Sequence, residues 1–95
     1  MIVDSHQHFW NLEREPMPWM GPAHAAIART FEPADLRPLL DECGIDSTIL
    51  VQAACTDADT DAMFEQADAN AWIGAVTAWV DLTSSHRARA RLDRL

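Results

Sequence analysis

In "DSHQHFW", residues 4 to 10, His6 and His8 stand one residue apart. In an extended strand, residues i and i+2 project from the same face, so this spacing sets two imidazoles side by side and turns Gln7 away. Two neutral ring nitrogens converging on one point suit Zn²⁺ or another divalent ion. The plainer alternative is that one histidine hydrogen-bonds a neighbouring strand while the other packs on Trp10. Position favours the chemical reading, because the pair closes the first short apolar run, Ile2 to Phe9, and a long loop follows directly.

The elements that would hold such a pair can be read from hydrophobic periodicity. Residues 11 to 30 carry Pro16, Pro18, Gly21 and Pro22 without a sustained period, and compact domains keep loops of this length chiefly where they serve a site. "FEPADLRPLLDECGID" places Leu36, Leu39, Leu40 and Cys43 on one helical stripe, with Pro33 in the first turn and Gly44 at the C-terminal cap. Pro38 predicts a kink or a start near residue 36. "STILVQAAC" is apolar on both faces, as a strand of a helix-covered parallel sheet is. "TDADTDAMFEQADANA" predicts a helix capped by Thr56 or Asp57, burying Met63, Phe64, Ala67 and Ala71. "WIGAVTAWVDL" is a third strand, its inner face expected to include Val76 as Val51 does for the second. "TSSHRARARLDRL" is a third helix with Leu92 and Leu95 on one stripe.

The order βαβαβα spends about 30 residues per unit, as a (β/α)8 barrel of about 250 residues does. The fold class expected is therefore α/β, the N-terminal three βα units of a truncated TIM barrel, with residues 1–95 forming part of one domain. The last helix reaches Leu95 without a stop signal, so more chain is expected beyond it. A small doubly wound sheet is the competing architecture, but no glycine-rich phosphate loop follows the first strand.

Bulk properties narrow the partners. Fifteen acidic residues against seven basic ones give a formal charge of -8, which disfavours nucleic acid and anionic membrane surfaces. Arg87, Arg89, Arg91 and Arg94 are expected on the solvated face of the last helix. Cys43 and Cys55 follow no disulfide or metal pattern and suit reduced thiols. The start "MIVDSHQHFW" has no leader character, and a cytoplasmic location is expected.

"VDSHQHFW", "MPWMGP", "TILVQAACTDADT" and "WIGAVTAWVDL" together resemble the amidohydrolase superfamily, in particular the fuconolactonase-like sugar-lactone hydrolases of amidohydrolase family 2. The H-x-H is shared across the superfamily, whereas its combination with "VQAA" and "WVDL" marks this branch. Cys55 departs from the pattern, since Pro tends to follow "VQAA". The resemblance implies a hydrolase opening a sugar-acid or related carboxylated lactone at the C-terminal ends of the barrel strands. It also implies that His6 and His8 bind a divalent metal, zinc first among the choices, in metal-using relatives, and contact substrate in metal-free ones. Gln52, Trp19 and Trp79 become candidate substrate-binding residues, with Gln52 and Trp79 at strand ends and Trp19 in the long loop. Asp81 is expected to cap the next helix, and His24 and His86 to lie on the surface. The general acid/base, an Asp late in such barrels, is expected beyond Leu95, and the 95 residues alone are expected to be inactive. A metal-dependent decarboxylase of the same superfamily and a non-catalytic barrel fragment are the alternatives.

Overall fold

The computed structural model describes residues 1–95. Three strands, β1 (Val3–Gln7), β2 (Ser47–Val51) and β3 (Ile73–Thr77), alternate with three helices, α1 (Pro33–Cys43), α2 (Asp57–Ala69) and α3 (Ser85–Arg94). The strands form one parallel sheet in the order β1-β2-β3. Parallel neighbours need a crossover, which α1 and α2 supply, so the chain advances one strand per βα unit as a barrel wall does. No helix is long and apolar enough to cross a membrane.

Each helix starts where its sequence provides a partner for orphan amides. The Glu32 N–H donates to the Asp35 carboxylate at 2.9 Å ahead of Pro33. Thr56 Oγ1 accepts the Asp59 N–H at 3.0 Å, and Ser84 Oγ accepts from Arg87. Gly44 ends α1 with φ +70°, the left-handed conformation that costs glycine little. α1 runs from Pro33, so the later start near residue 36 does not occur; Pro38 lies inside the helix and is exposed, and the only helical bond it forfeits is one to the Ala34 carbonyl.

The core lies between the sheet and the helices. Phe9, Leu50, Met63 and Ile73 form its centre, with Leu36, Ala67, Trp72 and Val76 packed around them. Only 13 of 95 residues are buried, because one sheet face carries the helices while the concave face, with Ile49, Val51, Ala75 and Thr77, is partly or fully exposed. Several expected core residues fall outside this centre. Leu39 and Cys43 of α1 are exposed and the helix rests on Leu36 and Leu40. Ala71, beyond the end of α2, is exposed, as are Leu92 and Leu95, and α3 is buried through Ala88. Arg91 leaves the solvated arginine face: its side chain is only 18% exposed, and its guanidinium pairs with Asp57 and Asp61, tying α3 to α2.

Two register shifts decide which way side chains point. In β1, Asp4 pairs with Thr48 and Gln7 with Leu50, so β1 spends one residue more than β2 over that interval. In β3 the extra residue is Gly74, between Ile73 paired with Thr48 and Ala75 paired with Ile49. The second bulge overturns the expectation for Val76: it pairs with Leu50 and packs on the helix side, leaving Ala75 and Thr77 to the concave face. One inserted residue reverses every following side chain.

Candidate active site at the strand ends

His6 lies in the bulged stretch of β1 and His8 just beyond the strand's end, both on the concave side, while Gln7 and Phe9 are buried beneath the helices. The two Nε2 atoms approach to 3.2 Å, with the rings nearly perpendicular at 77°. His8 Nδ1 lies 2.9 Å from the Val51 carbonyl oxygen. A carbonyl only accepts, so Nδ1 carries the proton and Nε2 presents its lone pair.

That geometry tests the pair against a metal. A tetrahedral ion about 2.0–2.1 Å from each of two imidazole nitrogens holds them about 3.3 Å apart, so the observed separation fits with little movement. No third His, Cys, Asp or Glu joins them to complete a metal-binding group.

The loop that follows is folded back over the strand ends. Trp10 and Phe31 close its base by exchanging backbone hydrogen bonds of 3.1 and 2.8 Å. Within it, Pro22–Ile27 forms a short 3-10 helix. The Trp10 Nε1–H donates to the Arg29 and Ile27 carbonyls at 2.8 and 3.2 Å. The Trp19 Nε1–H reaches across to the Ala53 carbonyl at 2.7 Å, binding the loop to the β2–α2 turn. Trp10 and Trp19 meet edge to face at 5.6 Å, and His24 meets Trp19 at 5.1 Å. His24 is thus a half-buried loop component and not the surface residue its isolation in the sequence suggests; its Nδ1 accepts the Gly21 N–H.

Between loop and strand ends lies a hollow of about 360 Å³ lined by His8, Trp10, Trp19, Ile27, Gln52 and Ala53. Gln52 is fixed at the end of β2 by its own N–H, which donates to the Thr77 carbonyl at 3.0 Å. The turn after it is held by Asp59, 3% exposed, whose Oδ2 accepts the amides of Ala53 and Ala54 at 2.9 and 3.0 Å. The hollow therefore unites His8, Trp19 and Gln52, and its floor sits on a buried carboxylate.

Other candidates lie elsewhere. Trp79 is half-buried and does not line the hollow; its carbonyl accepts the Thr60 hydroxyl at 2.6 Å, joining the end of β3 to α2. Asp81 does not cap α3, because Ser84 does; its carboxylate accepts the Thr83 hydroxyl and N–H, which hold its pKa below the usual range. Neither Trp10 nor Ile27 carries a site role on sequence reasoning alone. Extending the alternation of His6 and His8 by one step reaches Trp10, but nothing in the sequence marks Ile27.

No protein-family profile matches the chain. It is 39% identical over 83 residues to L-fucono-1,5-lactonase of Burkholderia ambifaria, an alignment covering 87% of this chain and 29% of the relative. It is 36% identical over 86 residues to the enzyme of the same name from Burkholderia multivorans, covering 90% and 29%. Two solved structures of a Burkholderia multivorans amidohydrolase superpose on it. The form with bound zinc has a TM-score of 0.84 and the form with bound HEPES 0.86; each is 33% identical to this chain and covers 98% of it. The chain spans 33% and 32% of those structures and 29% of the curated relatives. In sequence and in fold it resembles the N-terminal third of fuconolactonase-type amidohydrolases, and its three βα units match part of a TIM barrel from an amidohydrolase.

Proposed function

We infer that the chain is the N-terminal part of an amidohydrolase-superfamily barrel whose full-length form opens a lactone of the sugar-acid class. The observation that carries this is the His6–His8 pair: two imidazole nitrogens 3.2 Å apart at the end of β1, one of them oriented by the Val51 carbonyl of β2. The zinc bound in a structural neighbour and the lactonase names of the sequence relatives support it.

In this proposal His6 and His8 hold a divalent ion, zinc by preference, as two of its ligands, and remaining ligands come from outside these 95 residues. Such an ion supplies Lewis acidity toward an ester carbonyl and makes a bound water more acidic. The chain's own residues orient the ligands, bind the ring and exclude water. His8 keeps its coordinating nitrogen free by placing its one ring N–H at Nδ1, where it donates to the Val51 carbonyl. Gln52 offers both a donor and an acceptor to the ring oxygens and hydroxyls of a lactone in the hollow. Trp19, with its N–H committed to Ala53, presents ring surface and shields the reacting centre from bulk water. Trp79 lies outside the hollow, and its main-chain carbonyl accepts from Thr60. The group that moves the proton lies in the part of the barrel beyond Leu95.

The test is to supply the full-length protein with a panel of sugar-acid lactones and follow acid release with a pH indicator, alongside decarboxylation of ring carboxylates. Lactone turnover that falls on chelation and returns with zinc is expected. Carbon dioxide release without lactone opening would replace this reading with a decarboxylase.

A further inference from the structure

The bulge in β1 does more than bend the strand. Asp4 faces Thr48, which is fully buried on the helix side of the sheet. In a regular ladder the next pair on that side would join His6 to Leu50, itself 1% exposed, and both histidines would point into the helix-packed core. The observed partner of Leu50 is Gln7. The extra residue has exchanged the faces, sending Gln7 and Phe9 inward and His6 and His8 to the concave side. At this point the His6 N–H donates to the Asp4 carboxylate, at 3.1 Å, across two residues.

We propose that Asp4 is the positioning residue of the histidine pair: by accepting the His6 N–H, its carboxylate closes the bulge that turns both imidazoles onto the site. This rests on the metal-site reading of His6 and His8, and Asp4 itself touches neither ion nor substrate. What matters is an acceptor at the right reach and not a negative charge, so the variants separate geometry from electrostatics. Asp4→Asn keeps a side-chain oxygen at the same distance, whereas Asp4→Glu keeps the charge and lengthens the arm by one methylene.

The experiment uses the full-length protein, with Co²⁺ as the metal probe and amide hydrogen exchange at His6 as a readout that needs no metal. In wild type and Asp4→Asn the His6 amide exchanges about tenfold or more slowly than an open amide, and Co²⁺ affinities agree within about threefold. In Asp4→Glu and Asp4→Ala the protection is lost and affinity drops about 10- to 100-fold, the usual range when a partner that orients a ligand is removed. Near-UV circular dichroism confirms that each variant is folded, and the Asn–Glu contrast decides if Asp4→Ala is not. Wild-type affinity and protection in Asp4→Glu, or loss of both in Asp4→Asn, overturns the proposal, as does an unprotected His6 amide in wild type. A wild-type protein that protects His6 but binds no Co²⁺ refutes the metal reading and with it the role of Asp4 toward the metal.

Discussion

His8 donates its Nδ1–H to the Val51 carbonyl across 2.9 Å, so the imidazole that leaves β1 is held by the end of β2. The adjacent strand sets its tautomer and its direction together, leaving His6 and His8 to meet at Nε2. Replacing both by alanine in the full-length protein is expected to lower lactone kcat/KM by about a thousandfold or more, since losing several kcal/mol of carbonyl polarisation costs tenfold per about 1.4 kcal/mol. Indicator assays on the double variant check this, and an unchanged rate would sink the assignment.

On the proposed function, Trp19 bears on binding more than on turnover. Trp19→Phe keeps a ring but drops the bond to Ala53, a loss of about 1 kcal/mol to the loop's attachment, while Trp19→Ala also opens the wall of the hollow. The expected result is a severalfold rise in KM for Trp19→Ala with a smaller change in kcat, and a milder effect for Trp19→Phe. Steady-state kinetics on the two variants distinguish this from a fall in kcat at constant KM.

Glu15 makes stability depend on pH. Burial pushes its carboxyl above the ordinary value of 4.5, and neighbouring Asp59 adds to the rise, with Glu65 and Asp61 contributing further and Arg14 opposing it. The folded state therefore holds its proton more tightly than the unfolded state, and stability falls as pH climbs from about 4.5 through the raised value. Glu15→Gln removes the penalty. Urea midpoints are expected to be higher than wild type near pH 7 and equal to it below about pH 4; the opposite order near pH 7 would mean that the contact with Arg14, 3.9 Å away, dominates.

At the β3 bulge, a Cβ added to Gly74 would stand 2.6 Å from Ser47 Oγ, whose hydroxyl donates to the Trp72 carbonyl at 2.9 Å. Gly74→Ala is expected to cost about 1–3 kcal/mol, the range for overpacking. Ser47→Ala removes the clashing oxygen, so the double variant should recover part of the loss. Denaturant titration of the two singles and the double measures the coupling, and simple additivity would show that the strain lies elsewhere.

The alternation of elements is legible in the sequence because parallel strands and their helices leave distinct periods: "STILV" is β2 and Thr56 caps α2 as its sequence suggests. The convergence of His6 and His8 is legible from i, i+2 spacing alone. The bulges are not. Nothing in "DSHQH" counts its residues against a partner strand 40 positions away, and Gly74 announces itself only once Ser47 is beside it. Simple alternation consequently puts Val76 on the wrong face. The same limit applies to the loop: Trp19 stands out as an aromatic, but its acceptor on Ala53 and its neighbour Trp10 come from folding residues 11 to 30 back over the sheet.

The paired backbones of Trp10 and Phe31 hold the two ends of that loop together independently of what lies between them. Closing a loop costs entropy that grows only with the logarithm of its length, and here the closure is made by main-chain bonds that do not depend on the enclosed sequence. Between these ends the segment is held by its own side chains, with Met17 buried, Arg14 paired with Glu65 and Trp19 bonded to Ala53.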